Sequence, residues 1–270
     1  MDMPAGQRET SSPTFSVRAA FLINNVDFLI YSYKIPADGW SMKNKKILIT
    51  GGSEGLGKEI ARRCHSLGAN VTILARNEKK LLAASKEIGC NYIVGDVSDL
   101  QSCKTILEKI SDLDILINNA GIWSDDESES ENIEIIQKTM DTNLTGAIYL
   151  TELFLPKFKA QNNGTIFFTN SSAGWKFGND PTARSYSASK WGLRGYAEAL
   201  EKHLKGTKIK IISFYPGGMD TNIFEKSGWK KSVSHNQVWQ ADVKKIADAA
   251  IFALNTPDNI NIGTIRVRKN

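Results

Sequence analysis

The chain has 270 residues, 41% of them hydrophobic and 23% charged, with a formal net charge of +5. That length can bury one sizeable core, and the mild charge, scattered among Asp and Glu without a dense basic tract, argues against a nucleic-acid partner. Cys64, Cys90 and Cys103 form no C-x-x-C pair and the three His are well separated, so no metal centre is expected, and the thiols read as reduced ones in a cytoplasmic protein.

Residues 1–41 differ from the rest. They open with Pro, Ser, Thr and Gly and then carry an apolar run from Ala19 to Tyr31. The run is too short to span a bilayer, Asn24, Asn25 and Asp27 interrupt it, and no small-residue cleavage site follows. Neither stable membrane insertion nor a secretory leader is expected. The expectation for 1–41 is an extension, poorly ordered or docked as an extra helix, with a native start at Met42. Residues 42–270 then form a single domain.

From Lys46 onward, short apolar runs alternate with amphipathic stretches. Strands are expected at Ile47–Thr50, Val71–Ala75, Asn91–Gly95, Leu113–Ile117, Gly164–Thr169, Ile209–Phe214 and Ile260–Val267. Helices are expected from about 55 to 67, through Leu81, Leu82 and Ile88, and over Asp99–Ile110, Ile133–Lys159, Thr182–Leu204 and Asp242–Leu254. This alternation predicts an α/β fold: a Rossmann-like, doubly wound parallel sheet of about seven strands with helices on both faces. The run Asp125–Glu131 reads as a solvated acidic loop.

Directly after the first of these strands comes Thr50-Gly51-Gly52-Ser53-Glu54-Gly55-Leu56-Gly57, which opens a helix. Glycines there allow a tight turn and a close approach to a pyrophosphate, and a helix N-terminus offers its N–H groups to that anion. No Gly-Lys-Ser/Thr follows, which excludes the NTPase phosphate loop. At the end of the second strand, where an acidic residue would hold a ribose diol, stand Ala75-Arg76-Asn77. Arg76 can pair with a 2′-phosphate, so NADP(H) is favoured over NAD(H). Further on, Tyr186 and Lys190 lie four apart on a predicted helix and share one face. A cation beside a phenol favours the phenolate and should lower the Tyr pKa from about 10, which suits proton transfer to a substrate oxygen.

With these features in order, the chain resembles the short-chain dehydrogenase/reductase family from residue 44 to its end. The glycine run matches that family's T-G-x-x-x-G-x-G, Asp96-Val97 its adenine-contacting pair, and Asn118-Asn119-Ala120-Gly121 its N-N-A-G motif. Asn143, Ser171 and the Tyr186-x-x-x-Lys190 pair fall at its active-site positions, and Tyr215-Pro216-Gly217 with Thr221 at its nicotinamide end. Ser171 is chosen over the adjoining Ser172 because it lies three before Gly174, as in the family's S-x-x-G. One departure is Glu54, where many NADP-using members carry a basic residue.

The resemblance implies an oxidoreductase that interconverts a carbonyl and a secondary alcohol. Tyr186 would be its general acid or base. Ser171 would hydrogen-bond the substrate oxygen, Lys190 would tune the phenol and hold the nicotinamide ribose, and Asn143 would anchor a relay water. It implies cofactor contacts from Gly51, Ser53, Gly55, Leu56, Gly57, Arg76, Asn77, Asp96, Val97, Asn119, Ala120, Gly121, Tyr186, Lys190, Pro216, Gly217 and Thr221. It also implies a homodimer or homotetramer acting on a small molecule. Trp123, Trp175–Asp180 and a lid from Met219 to about Trp239 would wall an apolar pocket. The rival readings are an NAD-dependent alcohol dehydrogenase and a non-catalytic NADP-binding sensor.

Overall fold

Two antiparallel strands lead the chain, β1 (Ser16–Leu22) and β2 (Phe28–Lys34), paired from Ser16↔Lys34 to Leu22↔Phe28. The expected alternatives for this segment were a poorly ordered stretch or a docked helix. Seven-residue runs of apolar, aromatic and β-branched residues suit a pleated ribbon as well as a helix, and periodicity alone does not separate the two. The chain divides into two units, residues 1–41 and 42–270, and the ribbon belongs to the first. The computed structural model describes residues 16–22, 28–34, 40–123, 132–175, 184–221, 223 and 240–267. The acidic run 125–131, residues 176–180, and Phe224, Trp229 and Trp239 of the expected lid lie outside them.

The second unit is built on one parallel sheet. Its strands are β3 (Lys46–Thr50), β4 (Asn70–Ala75), β5 (Asn91–Val94), β6 (Ile115–Asn118), β7 (Gly164–Thr169), β8 (Ile209–Pro216) and β9 (Thr264–Val267). They lie in the order β5-β4-β3-β6-β7-β8-β9, every neighbouring pair parallel. All seven expected strands are present. The chain winds outward from β3 through β4 to β5, returns to β6, and winds outward the other way. The crevice at the carboxyl ends of β3 and β6 is therefore the topological switch point, where open parallel sheets bind ligands.

The helices are α1 (Gly55–Ser66), α2 (Glu78–Ile88), α3 (Leu100–Glu108), α4 (Ile133–Met140), α5 (Gly146–Gln161), α6 (Arg184–His203) and α7 (Val243–Leu254). Alternation along the strands sends side chains to both faces. Leu48, Leu116, Ile166 and Phe168 pack with Ile106, Phe154, Phe158 and Leu193 from α3, α5 and α6. The intervening Ile47, Ile49 and Phe167 are equally buried and face the other way. There α1 lies beside α7, tied to it by Arg63, whose guanidinium reaches Asp248 at 2.6 Å and the Lys244 carbonyl at 2.9 Å. Helix starts follow their capping residues: Asn77, Asp99, Asn132 and Asp242 each accept a backbone N–H of the first turn. Among the described residues no helix is long and apolar enough to cross a membrane.

One expected helix is interrupted. Between α4 and α5, residues Asp141–Thr145 form a π-helical segment, which inserts one extra residue per turn. Asn143 sits in it, fully buried.

Gly146 opens α5 directly against the turn that follows β5, where a Cβ would lie 2.7 Å from the Val97 carbonyl oxygen. Gly146→Ala must push backbone from backbone, and should cost roughly 1–3 kcal/mol as overpacking. Urea denaturation reads the loss; unchanged stability would mean that α5 shifts freely along the sheet.

Candidate active site

The glycine turn and the N-N-A-G turn are joined by Thr50. Its hydroxyl oxygen accepts the backbone N–H groups of Asn119 and Ala120, both at 2.9 Å. The Asn119 side-chain amide returns a bond to the Thr50 carbonyl at 3.0 Å. This clamp leaves no room between the two turns. Gly51 has φ +66°, and a Cβ there would lie 2.9 Å from the Ala120 Cα. At Gly57 a Cβ would lie 2.4 Å from the Asn119 side-chain nitrogen and 2.5 Å from the Gly51 carbonyl oxygen. The first turn of α1 is thus drawn onto the crevice, and Glu54 at its N-cap makes no side-chain capping bond. First-turn N–H groups have no intrahelical partner, so they suit an anion. Ser53 is half-buried and Leu56 buried in the same turn. Thr221 approaches from across the crevice, its methyl 3.6 Å from where a Gly55 Cβ would stand.

Beyond β4, Arg76 is half-exposed, its Nη1 3.6 Å from Asp96 Oδ2. Burial pushes the Asp96 carboxyl up, but hydrogen bonds from Ser98 and the charge of Arg76 outweigh it and leave the group below its ordinary range. Val97 is buried behind it. Asn77 is already engaged, its Oδ1 accepting the Lys80 N–H at 3.0 Å to cap α2. Glu54 is engaged as well: Lys80 Nζ lies 3.3 Å from its carboxylate. Lys80 was not among the residues singled out from sequence, and nothing but its nearness to Arg76 could have marked it.

The other side of the crevice is α6. Tyr186 and Lys190 share its inward face, one turn apart, and both are buried. Lys190 Nζ lies 5.7 Å from the Tyr186 ring centre and donates to the Thr169 carbonyl at 2.9 Å. Ser171, just past β7, hydrogen-bonds the Tyr186 hydroxyl through its side chain. Ser172 is exposed. Gly174 lets this turn reach α6, since a Cβ there would lie 2.8 Å from the Lys190 carbonyl oxygen.

The phenol does not shift as expected. Burial pushes Tyr186 up, and the Ser171 bond only partly opposes it. Burial also pushes Lys190 down to about 8. Desolvation acts on both members of the pair and disfavours both charges, so it outweighs the lowering expected from the cation alone.

Asn143 is wired into the same place. Its Oδ1 accepts the Ile122 N–H at 2.8 Å, and its amide donates to the Ile122 carbonyl at 2.9 Å and to Ser189 Oγ at 3.2 Å. Ser189 in turn donates to the Tyr186 carbonyl at 2.7 Å. Gly121 faces this junction: a Cβ there would lie 3.4 Å from Asn143 Oδ1 and 3.8 Å from Lys190 Nζ. The Trp123 ring stands 4.5 Å from that of Tyr186. At the end of β8, Pro216 is buried and the Gly217 N–H donates to the Val267 carbonyl at 2.7 Å. Thr50, Thr169 and Ser189 complete the constellation. Sequence reading missed them as participants, although Thr50 begins the glycine motif and Ser189 lies three residues after Tyr186. Among the described residues no group of three or more His, Cys, Asp or Glu is placed to hold a metal ion.

The model of the short chain dehydrogenase family matches residues 45–232. An uncharacterized oxidoreductase of Staphylococcus saprophyticus is 29% identical over 84% of this chain and 98% of its own. A 3-dehydrosphinganine reductase of Danio rerio is 33% identical over 80% of this chain and 69% of its own. Among solved structures, the closed form of a serine dehydrogenase complexed with NADP+ is 25% identical with a TM-score of 0.76, covering 83% of this chain and 94% of that one.

A stability prediction follows from Lys190. Because burial lowers its pKa from 10.5 to about 8, folding carries a penalty on the order of 3 kcal/mol below pH 8, at about 1.4 kcal/mol per pKa unit. Between pH 8 and 10.5 the unfolded chain binds more protons than the folded one, so this group makes stability rise with pH until the penalty is gone. Lys190→Met should therefore raise the urea midpoint at pH 7, with the gain shrinking toward pH 10.5. A lowered midpoint at pH 7 would show that the bond to Thr169 outweighs the burial cost.

Proposed function

Because the chain belongs to the short-chain dehydrogenase/reductase family and is thereby an oxidoreductase, we propose that it interconverts a carbonyl and a secondary alcohol with NADP(H), Tyr186 carrying the proton. The observation that carries this reading is the buried pair Tyr186 and Lys190 beside the crevice, with the half-buried Ser171 side chain on the phenol hydroxyl.

The residues present fit a dinucleotide. Gly51 and Gly57 line a turn that a Cβ would fill, and the first-turn N–H groups of α1 suit a pyrophosphate. Asp96 and Val97 would meet the adenine, Asn119 to Gly121 the middle, and Pro216, Gly217 and Thr221 the nicotinamide end. Arg76 supports NADP(H) as the form used. Glu54 is the observation that favours the NAD-dependent rival, and its pairing with Lys80 weakens that objection by neutralising it.

When bound, the cofactor would supply or accept the hydride. In carbonyl reduction Tyr186 would pass its proton to the oxygen as negative charge develops there, and in alcohol oxidation it would take the proton back. Ser171 would donate a hydrogen bond to the same oxygen and stabilise that charge. Lys190 would hold the phenolate and the ribose hydroxyls. Asn143, fixed by Ile122 and Ser189, would order the water through which the proton is replaced. Trp123 would wall the substrate side of the phenol.

The reading extends to a homodimer or homotetramer formed through the helices that carry Asn143 and Tyr186. It extends also to a cytoplasmic location, supported by the unpaired state of Cys64, Cys90 and Cys103. A ketone substrate is supported by the reductase name of the Danio rerio relative.

The test is NADPH oxidation against ketones, quinones, β-ketoacyl thioesters, sugars and a long-chain 3-ketosphinganine. Tyr186→Phe should lower turnover by roughly 10²–10⁴-fold while NADPH binding, read by fluorescence titration, stays largely intact. Near-normal turnover would remove Tyr186 from the mechanism. Arg76→Ala should weaken NADPH binding by about tenfold or more, as loss of a charge-assisted bond implies, and leave NADH binding nearly unchanged. Equal losses for both cofactors would favour the NAD reading. Silence across the whole panel, with NADPH still bound, would favour the sensor.

A further inference from the structure

Ser171 belongs to a very short element. The 3-10 turn Ser172–Gly174 is capped by its hydroxyl, which accepts the Ala173 N–H at 3.2 Å. The Gly174 N–H donates to the Ser171 carbonyl at 3.0 Å and the Trp175 N–H to the Ser172 carbonyl at 3.1 Å. These bonds are local and hold the turn's shape. They do not fix where the turn sits.

The ring of Trp175 reaches further. It stands 5.2 Å from the buried Tyr215 ring at 74°, an edge-to-face contact. Two guanidiniums also lie over it: that of Arg194 from α6 with Cζ 4.3 Å from the ring centre, and that of Arg266 from β9 at 4.6 Å. Arg266 is the register partner of Tyr215 across β8 and β9, so strand pairing carries it to the indole. Arg194 has a carboxylate of its own, Glu198 at 2.7 Å. Arg266 pairs with no carboxylate among the described residues, and its described side-chain contact is the indole. Bringing two cations to one ring sets their mutual repulsion against two attractions to the π face. The arrangement leaves Trp175 held from α6, from β8 and from the last strand of the sheet.

We propose that Arg266 is a positioning residue for Ser171: stacked on Trp175, it holds the turn whose hydroxyl meets Tyr186. The edge strand β9, which otherwise reaches the site through the Val267 carbonyl on Gly217, would then set the hydroxyl that holds the substrate oxygen. The functional half of this inference rests on the role proposed above for Ser171; the structural half does not.

The experiment has two readouts. Hydrogen exchange measured by mass spectrometry follows the amides of Ala173, Gly174 and Trp175. In Arg266→Ala these should exchange about fivefold faster or more, as loosening of a local unit predicts, while the glycine turn at 51–57 keeps its wild-type rates. Arg266→Lys, which keeps the cation without the planar fork, should recover part of the protection. Unchanged exchange at 173–175 would overturn the proposal. Turnover is read with NADPH and 4-nitrobenzaldehyde as the probe. Arg266→Ala should lower kcat about tenfold with NADPH affinity unchanged, yet less than about twofold in a Ser171→Ala background, because residues acting through one another are non-additive. A full-sized loss in the Ser171→Ala background would overturn the proposal. If Ser171→Ala itself kept its turnover, the assignment of Ser171 would fall instead, and the exchange data would still decide what Arg266 holds. Should Arg266→Ala fail to fold, Arg266→Lys and Trp175→Phe carry the same comparison.

Discussion

At the carboxyl edge of the sheet, three pieces of backbone approach closer than a Cβ would allow. Gly51 meets Ala120, Gly57 meets the Asn119 amide, and Gly174 meets the Lys190 carbonyl. The first two contacts let Thr50 bond both N–H groups of the N-N-A-G turn, which pulls α1 over the crevice. The third lets the Ser171 turn lie against α6. Adding one methyl group at any of these points would separate elements whose side chains act together. The glycines are there for the space they leave, and at Gly51 and Gly55 also for a positive φ.

A buried charge sits at the centre of this edge. Among the described residues the Lys190 ammonium donates to one backbone carbonyl and faces the Tyr186 ring, whose phenol is itself shifted up. Neither group is at ease, and the fold bears that cost where the chemistry would occur. Strain of this kind is common at functional sites, and relieving it tends to exchange activity for stability. A bound cofactor would bring hydroxyls and charge to both groups, so the site is better matched to an occupied state than to an empty one.

Much of this was legible in the sequence. The seven strands, the helices between them and the positions of Tyr186, Lys190, Asn143 and the glycine turn all follow from period and motif order, because each element is long or tightly spaced. Three things were not legible. The phenol was expected to move down, since spacing reveals the cation but not that both partners are buried. Lys80 escaped notice because its partner, Glu54, is 26 residues away and meets it only through the packing of α2 beside the glycine turn. The guanidinium pair on Trp175 joins residues from a turn, a helix and the last strand, a juxtaposition that no local pattern encodes.

The π segment at Asp141–Thr145 sets the phase between two helices. The wider turn takes up one extra residue, worth about 100° on an α-helical wheel, so the sequence pattern of α5 is stepped by one position from that of α4. The two helices are used differently: α4 packs on α6, and α5 packs on α3 and the sheet. Asn143 sits at the joint, where its side chain serves the crevice while the residues on either side serve separate neighbours. A deletion of one residue here would let the wide turn close to an ordinary α turn, with α5 downstream keeping its phase. What would be lost is the joint itself, and with it the bulge from which Asn143 reaches the crevice. In this stretch the number of residues carries as much structural information as their identity.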